Sequence, residues 1–252
     1  MRHFLTVVLL SAAAGAVAET MPQPVMDEFE RLHPGYGFDE PPGIEPHEAR
    51  VVHRGARDQG QVALTFDACS RQEANQVDER VLALLRETQT PATFFAGGHW
   101  MADHAELTRD LARQELFELG NHAYNHPDLT RMDPDDIRMQ LGLTQLMAKA
   151  LTGEQPEFFR APYVRIDDGV EEQAAQLGMT TVQYDVASGD ADESASAEAV
   201  SQHVLDSVQP GSIVVLHVND PDLPTAQALP AILEGLRAKG LEPVTLSKLL
   251  GR

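Results

Sequence analysis

From Gln61 onward the chain alternates short apolar runs with segments whose apolar residues recur at helical spacing. The runs QVALTF, ATFFAGG, LFELGNH, EFFRAPY, TTVQYDV, SIVVLH and EPVTL have the length and the β-branched and aromatic content of buried strands. Between them, Val77, Val81, Leu84 and Leu85 share one helical face. Asp133 followed by Pro134 reads as a helix start, the carboxylate capping and the proline occupying a first-turn position that needs no N–H donor. Gly178 and Gly240 each close a helix just ahead of a strand. This alternation over 61–252 predicts an α/β fold with a parallel sheet wrapped by helices. Seven strands predict a barrel rather than an open sheet.

Residues 19–60 break the pattern. Pro22, Pro24, Pro34, Pro41, Pro42 and Pro46 fall among glycines and charges, which predicts an irregular arm or linker. His33, His47 and His53 show no mutual spacing that would make them a site. Ahead of the arm, 1–18 has the build of a secretory signal peptide: Arg2, an apolar run from Phe4 to Leu10, and Ala16-Val17-Ala18 as the cleavage signal. That run falls well short of the roughly 20 residues of a membrane-spanning helix. The expected location is therefore secreted or periplasmic.

Charge narrows the partners. With 39 acidic and 19 basic residues the formal net charge is −20, which argues against nucleic acid or an anionic membrane surface. A single cysteine leaves no internal disulfide, so stability rests on the core. No partner protein is implied.

The C-terminal tips of the expected strands carry Asp67, then His122 and His126, then Arg160, then Asp185 and Asp190, then His217. In a β/α barrel that end carries the chemistry, because the following loops build a pocket there. In GNHAYNHPDL the two histidines lie four apart, so one turn brings both imidazoles to one side, a spacing suited to two nitrogen ligands on a divalent metal. Pro127 disfavours helix at His126, so the turn stops there. A zinc-protease helix fits poorly, since HAYNH has alanine where that motif needs glutamate.

TFDA, HAYNH, RAPY, ASGDA and VLH, in this order, resemble the five motifs of the polysaccharide deacetylases, the NodB-homology or family 4 carbohydrate esterases, over about 61–252. The resemblance implies a distorted (β/α) barrel and metal-dependent hydrolysis, zinc being the usual ion. The implied substrate is a glycan that loses N-acetyl groups from an amino sugar, or O-acetyl groups. By position it makes Asp67 the general base, Arg160 its ion-pair partner, His122 and His126 metal ligands, His217 the general acid and Asp190 the carboxylate that tunes it. Pro162 and Tyr163 line up with the groove wall, and the backbone N–H of Tyr163 with the oxyanion donor.

The chain departs from these motifs at Ala68, where the family has a metal-ligating aspartate, and at Ala123, Ala187 and Ala191. Three readings of the missing ligand stay open. Asp67 itself coordinates, which is the preferred one; Cys69 supplies a thiolate from the same side of the strand; or the metal is lost and the barrel only binds glycans.

Overall fold

The computed structural model of the protein describes residues 19–37, 42–71, 74–192 and 194–252. The expected signal peptide, 1–18, lies outside the described residues. The chain runs β1 (Glu19–Thr20), α1 (Gln23–Leu32), β2 (Gly43–Ile44), β3 (Val51–Val52), β4 (Gln61–Ala68), α2 (Glu79–Glu87), β5 (Ala92–Ala96), α3 (Gly98–Asp103), α4 (Ala105–Ala112) and β6 (Phe117–Asn121). It continues through α5 (Pro134–Thr152), β7 (Phe158–Phe159), α6 (Asp168–Gln176), β8 (Thr180–Val182), β9 (Val186–Ala187), α7 (Ala197–Ser207), β10 (Ile213–His217), α8 (Thr225–Ala238), β11 (Glu242–Val244) and α9 (Leu246–Leu250).

Strands β3 to β11 form one sheet of nine in the order β3-β8-β7-β6-β5-β4-β10-β9, with β11 beside the start of β4. Every neighbouring pair is parallel. The end strands β3 and β9 do not pair with each other among the described residues, while an Arg54–Ser212 bridge draws the β3 edge toward β10. The result is a curled, incompletely closed barrel. Seven expected strands become nine because β3 comes from the arm and TTVQYDV divides into β8 and β9.

Strand alternation sorts the core into two layers. Val62, Leu64, Phe66 and Ala68 of β4 belong to the large cluster beneath the helices, whereas Ala63 joins Phe95, Phe158, Ile213 and Val244 on the other face. Each large side chain buried this way contributes roughly 1.5–3 kcal/mol. The same alternation turns Thr65 and Asp67 inward, toward the barrel mouth. The helix termini hold as expected: at a start, Asp133 accepts from the N–H groups of Asp135 and Asp136, and just past two ends Gly178 and Gly240 take positive φ of 75° and 69°. Helix α2 begins later than its apolar pattern suggests, with Asp78 as cap and Val77 ahead of it.

The arm is not wholly irregular. Pro24 sits in the first turn of α1, where its missing N–H costs nothing. Val25 and Phe29, one turn apart, are buried with Met21 against α5. A Cβ at Gly142 of α5 would come within 2.7 Å of Val25 Cγ1, so glycine permits this close approach. No helix among the described residues is long and apolar enough to cross a membrane.

Candidate active site

Parallel pairing sets Asp67 beside His217, in register at the ends of β4 and β10. Asp67 is 6% exposed and Arg160, just past β7, is fully buried. Arg160 Nη1 donates to Asp67 Oδ1 at 2.7 Å and to Thr65 Oγ1 at 2.8 Å, and its guanidinium stacks 4.1 Å from the Phe95 ring centroid. Burial works to raise the Asp67 pKa, but the charge of Arg160, with His122 and His217, outweighs it and holds the carboxyl below its ordinary value.

His122 follows β6 directly. Its Nδ1–H donates to the Arg160 carbonyl at 2.8 Å, which turns the lone pair of Nε2 toward Cys69 Sγ at 3.6 Å and Asp67 Oδ2 at 3.8 Å. His126 packs on His122 with ring centroids 5.0 Å apart. The ligand atoms of Cys69, His122 and His126 all lie within 4.8 Å of one another. Burial lowers His122, and burial with His122 nearby pushes His126 down to about 3, so both imidazoles are neutral. Burial and the Asp67 charge push the Cys69 thiol up. Asp67, preferred from the sequence as the third ligand, lies beside this trio, its Oδ2 3.8 Å from His122 Nε2. One of its oxygens is taken by Arg160, and Cys69 stands where the two imidazoles converge.

Asp190 lies beyond β9 and is almost fully buried. It accepts from His217 Nδ1 at 2.9 Å, from the His217 backbone N–H at 2.8 Å, from Ser188 Oγ at 2.9 Å and from Thr225 Oγ1 at 2.6 Å. Burial opposes the charged imidazole, but the Asp190 hydrogen bond and charge outweigh it and raise the His217 pKa. Asp185, counted from the sequence among the strand-tip groups, does not reach this site. It opens β9 at the opposite end, accepting from Ile213 N–H at 2.8 Å and from Arg57 Nη2 at 2.7 Å. The extra break between β8 and β9 is what displaces it.

The cleft above the trio, about 630 Å³, is lined by Cys69, Ser70, Arg71, Asn125, His126, Tyr163 and Asn219. Tyr163 is 60% exposed at its rim, with its ring 4.6 Å from that of His126. Pro162 is buried and underlies the turn without lining the cleft. Four non-glycine residues around the site, Ala123, His126, Tyr163 and Val164, take left-handed φ of 57°, 58°, 57° and 60°. Such strain gathers where geometry serves function. Sequence reasoning missed Ser70, Arg71, Asn125 and Asn219 as cleft residues. Asn125 inside HAYNH and Asn219 two past His217 were visible only as neighbours of a motif.

A curled parallel barrel with two carboxylate-to-base pairs and a Cys-His-His trio at its strand ends is a hydrolase-type site. The polysaccharide deacetylase family model matches residues 54–182, and the chain belongs to that family. It is 30% identical over 194 residues to a peptidoglycan-N-acetylglucosamine deacetylase of Bacillus cereus, covering 76% of this chain and 69% of that one. It is 28% identical to the peptidoglycan-N-acetylmuramic acid deacetylase PdaA of Bacillus subtilis, covering 92% and 88%. Other relatives are longer: the match spans 62% of the Bacillus subtilis protein YlxY and 30% of a bifunctional xylanase/deacetylase from Pseudobutyrivibrio xylanivorans. Among solved structures, the Bc1960 peptidoglycan N-acetylglucosamine deacetylase superposes with a TM-score of 0.74 at 28% identity, over 81% of this chain and 93% of that one. A family 4 carbohydrate esterase pseudoenzyme from Bacillus anthracis gives 0.72 at 26%, over 81% and 69%.

Proposed function

We propose that the protein is a metal-dependent hydrolase that removes acetyl groups, N-linked in the first instance, from an amino sugar of a cell-wall or extracellular polysaccharide, and that it acts as a secreted or periplasmic protein. The observation that carries this reading is the in-register placement of Asp67 beside His217, each already joined to its partner, above a trio of ligand-type side chains. The relatives named as peptidoglycan deacetylases support the substrate class.

Cys69, His122 and His126 fit a divalent ion. Two imidazoles and a thiolate are a zinc-type donor set, and His122 is locked with Nε2 facing the trio by its bond to the Arg160 carbonyl. When bound, the ion polarises the acetyl carbonyl and makes a water acidic enough to lose its proton at neutral pH. Asp67 accepts that proton: Arg160 occupies Oδ1, and Oδ2 faces the trio. His217, oriented through Nδ1 by Asp190, presents Nε2 as the acid for the leaving amine. Tyr163 borders the sugar, and its backbone N–H is the oxyanion donor that the family resemblance assigns.

Ala68 and the likeness to a pseudoenzyme favour a second reading, a barrel that binds glycans without turnover. Against it stand Asp67, Arg160 and Asp190, buried ionisable groups, with part-buried His217 beside them, which a binding surface does not need. Acetate release from N-acetylated chitin oligomers and from peptidoglycan decides between them. Release that stops on chelation and returns with zinc supports the hydrolase. Zinc bound, glycan bound and no acetate released supports the binding protein.

A further inference from the structure

We infer that His33, at the end of the arm helix α1, is a positioning residue that holds the His122–His126 loop in ligating geometry through Tyr124. The inference rests on the metal site proposed above. It extends the working site into a segment ahead of the family match, which begins at residue 54.

The loop from His122 to His126 needs support. Ala123 and His126 both sit in the left-handed region, at φ 57° and 58°, where side-chain-bearing residues are strained. Its backbone is pinned at several points. Ala123 N–H donates to Asn121 Oδ1 at 2.9 Å, and Asn125 N–H to Gln140 Oε1 at 2.9 Å. Gly98 N–H donates to the Ala123 carbonyl at 3.2 Å and His99 N–H to the Tyr124 carbonyl at 3.1 Å.

The middle of the loop is fixed by a side chain. Tyr124 is 6% exposed, and its ring lies so close over Gly98 that a Cβ there would be 2.4 Å from Cδ2. The ring cannot sink further toward α3. Its hydroxyl ends at His33 Nε2, 2.6 Å away. Burial lowers His33, so its neutral imidazole can accept the hydroxyl proton across this contact. His33 is itself packed by Phe29 and Tyr36, with centroids 5.2 Å and 5.9 Å away.

The arm has purchase for this role. Val25 and Phe29 anchor α1 in the core against α5, so the His33 ring is presented from a fixed helix end. A helix serving as packing alone would have no need of a polar tip aimed at the residue midway between two ligands.

The test compares full-length His33→Leu, Tyr124→Phe, the double variant and His33→Gln, whose amide can replace Nε2 as acceptor. Two readouts are taken: amide hydrogen exchange of residues 122–126 without metal, and zinc affinity by titration. A hydrogen bond of this kind is worth about a 2- to 10-fold change in an equilibrium. The expected result is that both single variants speed loop exchange and weaken zinc by that factor, that the double variant adds nothing, and that His33→Gln recovers most of it. Protection in β4 and α5 should hold. Loop exchange unchanged in His33→Leu and Tyr124→Phe overturns the inference whatever the metal does. Faster loop exchange with no zinc bound even by the parent upholds the support of the loop and removes the metal site instead.

Discussion

At the barrel mouth, Asp67 with Arg160 and Asp190 with His217 form closed pairs, each carboxylate answered by a base at 2.7 Å or 2.9 Å. Beside them Cys69, His122 and His126 carry no such compensation: burial keeps the imidazoles neutral and the thiol protonated. The pairs are preset for proton transfer, because each holds one member in its charged form before any substrate arrives. The neutral imidazoles already offer the lone pairs with which side chains ligate a cation, and Cys69 joins them as a ligand on giving up its proton to the binding event. The difference separates two functions that the sequence merged in Asp67. Under the proposed function, proton chemistry lies with the pairs and cation binding with the trio.

If that division holds, damage to a pair should remove turnover and leave cation affinity nearly intact. Asp67→Asn is expected to lower turnover by about 10²- to 10⁴-fold, as loss of a general base does, with zinc affinity by titration close to the parent. Arg160→Met should cost about 3–5 kcal/mol in urea unfolding, because it leaves the Asp67 carboxylate buried and unanswered. His217→Ala should lower turnover by about 10²-fold with metal content unchanged, read by elemental analysis. Loss of metal in either Asp67→Asn or His217→Ala would break the division.

The smallest effect sharpens it. Asp190 raises His217 above its ordinary 6.5, so the acid form survives to higher pH and activity falls as pH rises through that raised value. Asp190→Asn should move the alkaline limb of kcat/KM to lower pH. The pair's contribution to stability has the same sign: full below the unfolded value, it is lost as pH rises through the folded one. Asp67 runs the opposite way. Its lowered pKa contributes stability above the ordinary 3.8, lost as pH falls through the folded value.

Much of this was legible in the sequence where a short-range rule governs it. Period-two alternation in QVALTFDA fixed which residues face the mouth, and the end of β10 placed His217 beside Asp67. The arm helix was hidden by its prolines, although Pro24 occupies a position where proline is welcome and Val25 and Phe29 mark a buried face. Asp185 looked catalytic because the β8–β9 break cannot be read from TTVQYDV alone. The proposed choice of Cys69 over Asp67 as third ligand was out of reach for a different reason. It depends on Arg160, 93 residues further along, taking one Asp67 oxygen.

Cobalt titration of the parent, Cys69→Ser and Asp67→Asn tests the central claim most directly, because thiolate bound to Co2+ gives a near-ultraviolet charge-transfer band that imidazole and carboxylate do not. The account predicts about one ion per chain with that band in the parent and in Asp67→Asn, and loss of both the band and most of the affinity in Cys69→Ser. A parent that binds cobalt without the band, and loses it in Asp67→Asn but not in Cys69→Ser, would contradict the account and return the third ligand to Asp67.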